Sequence, residues 1–303
     1  MERQILKETA TPLFPNVTTS VKLRGTDVLI HGLCTGTVSV KTAFRTKRGN
    51  GFLSKLNILF GDRYTEFLPI WVWVIEHPEG VIIIDTGEIS DVKDTDRYLS
   101  KESAYSRFIS KRISKHMTDT KDELNNKLHE INLKTDDIKL VALTHLHLDH
   151  TDGIRFFPKA DIIVNEYEYK HPYSNLPTTY PTWFKPHLVN YKDNRIDVFN
   201  KAYPITASGD LFYIPTPGHT YGHSSIVFKT DHFDIIFAGD ASFNQEQLIQ
   251  NELVGANADF TKSKETYNNL ALYGKKYKTI YLPSHDANAA SRLMNKSFLG
   301  TVL

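Results

Sequence analysis

The stretch THLHLDHTDG, Thr144 to Gly153, gathers three histidines and two aspartates directly behind the apolar run IKLVAL. Imidazole nitrogens and carboxylate oxygens are the donors that hold zinc, and equally iron, cobalt or manganese. At the end of an extended strand, residues i and i+2 point to one face, so His145 and His147 can reach the same ion. Asp149 shares that face until the chain turns, and His150 points elsewhere. The spacing predicts two neighbouring ions, one served by His145 and His147, the other by Asp149 and His150. Two metals about 3.5–4 Å apart share bridging groups, so the rest of the chain must supply further donors.

Three residues qualify, each directly behind an apolar strand: His219 in TPGHTYGH, Asp240 in FAGDAS and His285 in LPSHDA. His145, His147 and His219 would complete one ion, and Asp149, His150 and His285 the other. Asp240 would bridge them with its two oxygens. A lone histidine in a loop ordinarily does no more than satisfy hydrogen bonds; HxHxDH followed in order by three further donors does not fit that reading. His223 finds no vacancy and is assigned a supporting role. Asp85, in IIIDTG, either orients a ligand histidine or caps a turn. His31, His77, His116, His129, His171, His187 and His232 are read as structural or surface residues.

The elements that must position these donors follow from the apolar pattern. VLIHGL and TGTVSV read as two short strands, and Ile70–Ile75 with Val81–Ile84 as a hairpin around His77-Pro78-Glu79-Gly80. Residues 91–131 carry apolar side chains at helical spacing and predict one or two helices. Residues 138–143 form a strand that delivers the histidine cluster, and ADIIVNEYEY a strand running into a helix. Residues 171–195 read as loop, DLFYIP, SSIVFKT, FDIIFAG and KTIYLP as strands, and roughly 245–277 as a polar helical segment. Each polar motif thus sits beyond a strand's end, where α/β folds place ligands.

Lysine plus arginine (36) and aspartate plus glutamate (35) nearly cancel, which gives no electrostatic reason to expect nucleic acid as a partner. One cysteine, Cys34, excludes an intrachain disulfide and a thiolate metal cluster. FLPIWVWVI is too short to span a bilayer, and the N-terminal residues, with Glu2 and Glu8, lack an apolar core of signal-peptide length. A cytoplasmic protein is the expectation.

With HxHxDH followed by a distant His, Asp and His, the chain resembles the metallo-β-lactamase superfamily over roughly residues 65–290. The resemblance implies an α/β (α+β) fold, an αββα sandwich with a dinuclear metal site at one edge of the sheets. It implies a single domain over 1–303, with a helical insertion at about 91–118 that caps the site or makes a homodimer contact. LPIWVWVIEHPEGVIIIDTG, TPGHTYGHSS and GDAS are similar to the quorum-quenching N-acyl-homoserine lactonases. That likeness implies two divalent ions, zinc first among them, and a small-molecule lactone or ester substrate with an apolar chain. A metal-activated bridging hydroxide would attack the lactone carbonyl, with Asp149 moving the proton.

The family often carries a tyrosine three residues after the bridging aspartate, and here that position is Phe243, whose ring cannot donate a hydrogen bond. Another ester, thioester or phosphotriester hydrolase on the same fold is the alternative. Phe243, Trp71, Trp73, Tyr180, Trp183 and Phe184 are the candidate substrate contacts, with Tyr105 and Phe108 as further candidates for an apolar groove.

Overall fold

The computed structural model describes residues 14–49, 51–193 and 195–302; the N-terminal segment with Glu2 and Glu8 lies outside the described residues. Eight strands form the first sheet: β1 (Val17–Leu23), β2 (Thr26–Val40), β3 (Leu68–His77), β4 (Gly80–Ile84), β5 (Ser114–Met117), β6 (Ile138–Ala142), β7 (Asp161–Asn165) and β8 (His187–Val189). Their order is β1-β2-β3-β4-β6-β7-β8, with β5 added to β2. The chain runs antiparallel from β1 to β4, then parallel through β6, β7 and β8. The second sheet has the order β13-β12-β11-β10-β9, built from β9 (Tyr203–Pro204), β10 (Leu211–Pro215), β11 (Ser224–Lys229), β12 (Asp234–Gly239) and β13 (Thr279–Pro283).

Strand period 2 explains how the layers stack. On β3, Trp71, Trp73 and Ile75 enter the core between the sheets, where they join Tyr213, Ile226, Phe237 and Leu282. The alternate residues Val72 and Val74 face the opposite way, toward Leu124 and Leu128 of the helix Leu124–Glu130. Ile214, Val227 and Ile236 likewise turn outward onto Tyr267, Leu270 and Tyr273 of the helix Phe260–Lys276. Both sheets are therefore covered on both faces, which is why their strands read as continuous apolar runs. The product is an αββα sandwich.

Several elements differ from the sequence expectation. VLIHGL and TGTVSV belong to one 15-residue strand, β2. It stays continuous through a register shift between Cys34 and Thr37, where Gly36 takes a φ of +138° that a residue with a Cβ rarely adopts. Residues 91–131 hold three short helices, Thr95–Tyr98, Ala104–Ile113 and Leu124–Glu130, and also β5, whose alternation of half-buried and exposed positions carried too little apolar signal to be seen. The 171–195 loop contains β8, and the 245–277 segment breaks into Gln245–Gln250 and Phe260–Lys276. No helix among the described residues is long and apolar enough to cross a membrane.

Across the β3–β4 turn, Glu79 accepts the backbone N–H groups of Ala207 and Ser208 at 2.9 and 2.8 Å. Hydrogen bonding from Ser208, and then from these backbone groups, brings its carboxyl down to about 2. A pKa below the unfolded value of about 4.3 stabilises the fold above that pH and loses the contribution as pH falls toward 2. Glu79→Gln is expected to cost about 1 kcal/mol at pH 7 in denaturant unfolding. The gap to the unsubstituted protein should close between about pH 5 and pH 2; a gap that stays constant over this window contradicts the assignment.

Candidate metal centre

Asp85, the histidine cluster, His219, Asp240 and His285 follow β4, β6, β10, β12 and β13. Backbone bonds sew these strand ends together: Ser284 N–H donates to Gly239 O and Trp71 N–H to Ser284 O, each at 3.0 Å, and Ser224 N–H donates to Thr144 O at 3.0 Å. The seven predicted donors meet there as two groups, His145, His147, His219 and Asp240, and Asp149, His150 and His285, with the ligand atoms of each group within 4.8 Å of one another. Extended alternation explains only half of that. His147 is the N-cap of the helical turn Leu148–Thr151, so Asp149 and His150 are aimed by helical rather than strand geometry.

Each imidazole is turned by the bond its other nitrogen makes. His145 Nδ1 donates to Thr144 Oγ1 at 3.0 Å, and Thr144 Oγ1 in turn donates to Asp85. His147 Nε2 donates to Tyr173 O at 2.9 Å, His150 Nδ1 to Asp85 Oδ2 at 2.8 Å, and His285 Nδ1 to Pro69 O at 2.9 Å. Asp85 is thus an orienting group for His150 and also accepts Thr144 N–H at 2.8 Å, across the start of the cluster. His223 supports Asp240: its Nε2 accepts the Asp240 N–H at 3.0 Å while its Nδ1 donates to Thr216 Oγ1 at 2.9 Å. Burial pushes its imidazole down to about 3, so it stays neutral and keeps that acceptor.

The inward-facing atoms fit cations. Burial holds His145 well below the ordinary histidine range and lowers His147 as well. Their outward nitrogens carry the protons, so His145 Nε2 and His147 Nδ1 face each other at 3.0 Å with bare lone pairs. His219 Nε2 lies 2.9 Å from the same His147 nitrogen. Three nitrogens this close, beside Asp240 Oδ2 at 3.5 Å from His219, match the edges of a tetrahedral N/O site. In the second group, His150 Nε2 and Asp240 Oδ1 are buried without a hydrogen-bond partner although only 3.3 Å apart. His285 Nε2 sits 3.2 Å from Asp149 and 3.3 Å from Asp240.

The electrostatics agree. Burial would depress His150 and His285, but the carboxylates outweigh it: Asp85, Asp240 and Asp149 raise His150 well above its ordinary value, and Asp240 and Asp149 push His285 up to about 10. Burial alone would raise Asp240, yet His285 and His150 hold it well below the usual carboxylate range. The pocket is a buried anionic site that collects positive charge.

Five of the donors, His147, Asp149, His219, Asp240 and His285, form the floor of a cavity of about 450 Å³ whose walls are mostly apolar, among them Val38, Val40, Phe44, Leu99, Ile109 and Leu176. Phe243 lines it and stacks on His285, ring centroids 5.0 Å apart. Trp71, Trp73, Tyr180, Trp183 and Phe184 do not line it. Trp71 and Trp73 stack at 5.8 Å inside the inter-sheet core, because odd-numbered positions of β3 face the second sheet. Tyr180 and Phe184 pack at 5.1 Å beside the outer core of the first sheet, and Trp183 is exposed. Tyr180 braces the metal loop instead, donating to Leu146 O at 3.1 Å. Tyr105 lines the cavity, while Phe108 on the same helix is exposed outside it.

One residue that sequence reasoning missed is Glu168. This buried carboxylate accepts Leu146 N–H at 3.1 Å, Thr220 Oγ1 at 2.6 Å and Gly222 N–H at 3.0 Å, stapling the His145–His147 loop to the loop that carries His219. Gly222 leaves it room, since a Cβ there would lie 2.2 Å from Glu168 N. Nothing in NEYEY marks the glutamate, as its partners, two backbone N–H groups and the Thr220 hydroxyl, come from distant segments. Glu168→Gln should lower metal affinity about ten- to hundredfold in chelator competition; unchanged affinity would remove the staple from this account.

Residues 65–285 match the metallo-beta-lactamase superfamily. The chain is 28% identical over 220 residues to an N-acyl homoserine lactonase of Bacillus thuringiensis, covering 72% of this chain and 82% of that one. Among solved structures it is similar to an N-acyl homoserine lactone hydrolase with the product N-hexanoyl-L-homoserine at its catalytic metal center, with a TM-score of 0.68 and 20% identity, over 88% of this chain and 94% of that chain. It is also similar to a dizinc quorum-quenching lactonase with a product bound, with a TM-score of 0.60 and 17% identity, over 89% and 91% of the two chains.

Proposed function

The chain belongs to the metallo-beta-lactamase superfamily, and we propose that it is a dinuclear-metal hydrolase that opens the lactone ring of N-acyl-homoserine lactones. The observation that carries this reading is the cluster of seven donors, five of which floor a largely apolar cavity of about 450 Å³. The floor suits carbonyl hydrolysis, and the walls suit an acyl chain. The lactonase relative supports the choice of substrate. Zinc is the proposed ion and the cytoplasm the proposed compartment.

His145, His147 and His219 would hold one cation, Asp149, His150 and His285 the other, and Asp240 one with each oxygen. Two bound divalent cations would polarise a lactone carbonyl and acidify water from a pKa of 15.7 toward about 7. The chain's own residues do the rest. Asp149 is the more open of the two carboxylates that line the cavity, its side chain 17% exposed against 3% for Asp240. It is therefore placed to accept a proton as water adds to the carbonyl and to return it to the ring oxygen as the C–O bond breaks. Asp85, Thr144 and His223 hold the donor set rigid, and Phe243 closes off the floor beside His285. Segment 91–118 acts as a cover: Tyr105, Ile109 and Ile113 of its helix Ala104–Ile113 line the cavity.

A hydrolysis panel tests the reading. N-acyl-homoserine lactones of short and long chain should outpace simple lactones, aryl esters, thioesters and phosphotriesters in kcat/KM. Turnover of lactones no faster than of esters would instead favour the broader hydrolase alternative. His147→Ala and Asp240→Ala should each reduce activity more than about a hundredfold, since even outer partners of a metal are worth 10–100-fold. Activity retained in either variant contradicts the ligand assignment.

A further inference from the structure

One polar chain interrupts the cavity wall away from the metal donors. Ser114 and His116 stand at i and i+2 on β5, and both line the cavity. His116 Nδ1 hydrogen-bonds the Glu88 carboxylate, and its Nε2 lies 2.7 Å from Ser114 Oγ. Glu88 is fully buried, and its other oxygen accepts from Thr118 Oγ1 at 3.1 Å. Among the described residues, His116 is the cation that pairs with it.

The buried Glu88 carboxyl favours the protonated form of its imidazole partner and raises His116 above the ordinary histidine range. Burial works against this, but Glu88 outweighs it, and Asp149 adds to the same direction. In that protonated form both imidazole N–H groups donate, one to Glu88 and one to Ser114 Oγ. Ser114 keeps its own proton and gives it to Ser110 O at 3.1 Å, a long bond for a hydroxyl. A serine–histidine–acid order also occurs in nucleophilic triads, but Glu88 favours the protonated form of His116, and in that form the imidazole cannot take the serine proton. The chain presents a polarised donor to the cavity, not a nucleophile.

We propose that Ser114 is the polar anchor for the substrate: its hydroxyl turns from Ser110 O to the amide carbonyl that joins the reacting lactone ring to its apolar chain. His116 and Glu88 are positioning residues that fix and polarise that hydroxyl. The inference rests on the lactonase reading. With the ring over the donor floor and the chain along the apolar wall, the amide is the one group between them that needs a donor. β5 follows directly on the covering helix that carries Ser110, and Ser110, Ser114 and His116 line the same cavity as the donor floor.

The test compares kcat/KM of the metal-loaded enzyme for an N-acyl-homoserine lactone and for a γ-lactone bearing an alkyl chain of matched length without the amide. Ser114→Ala should lower the ratio of the two about tenfold, and His116→Gln should lower it in the same direction. Ser114→Thr, which keeps the hydroxyl, should hold the ratio within about twofold of the unsubstituted enzyme. A ratio unmoved in Ser114→Ala, or a Ser114→Thr ratio that falls as far as the alanine variant's, overturns the anchor. If the unsubstituted enzyme turns over neither lactone, the lactonase reading fails and the anchor with it.

Discussion

Three carboxylates, Asp85 and Asp240 buried and Asp149 opening on the cavity, gather at one end of the sandwich, and the need to match their charge is the constraint around which this molecule is organised. Side-chain exposures of 2% for Asp85 and 3% for Asp240 leave solvent little part in screening them. In such surroundings negative charge must be matched locally. The imidazoles supply part of the match, and the remaining lone pairs, His145 against His147 above all, ask for cations. The sandwich exists, in this sense, to hold mutually repelling groups at the ends of strands that have no freedom to separate.

That rigidity comes from outside the donor set. Asp85 ties His150 to Thr144, His223 fixes the backbone of Asp240, and Glu168 joins two loops that would otherwise drift apart. Each is a buried polar group with its bonds satisfied by the element it restrains, the arrangement in which a network specifies one geometry. The cavity above is different in kind. Its walls come from β2, from the segment after β4 and from the 173–176 loop, and they are mostly apolar, with the Ser114–His116–Glu88 chain as a polar exception. Reaction chemistry and substrate choice are therefore carried by separate parts of the fold.

The same division explains what was legible in the sequence. Metal donors must be particular residue types behind particular strands, so HLHLDH, TPGHTYGH, FAGDAS and LPSHDA could be read directly. The β3–β4 hairpin and the strands buried on both faces were equally plain, because apolar runs and turn residues are local signals. Cavity contacts are not local. Trp71 and Trp73 looked like groove residues by type alone, yet the parity of β3 sends them into the core. His116 read as no more than a structural or surface histidine, because its partner Glu88 lies 28 residues away and β5 has no apolar pattern to announce it. Glu168 and Tyr180 likewise act through backbone groups of remote loops, which no spacing encodes.

The central claim is that Asp240 stands between two cations held by His145, His147 and His219 on one side and Asp149, His150 and His285 on the other. Anomalous diffraction from crystals of the zinc-loaded protein, collected at the zinc edge, tests it most directly. The account predicts two peaks about 3.5–4 Å apart, with one Asp240 oxygen directed at each. A single peak, or two peaks with Asp240 bound to neither, would contradict it.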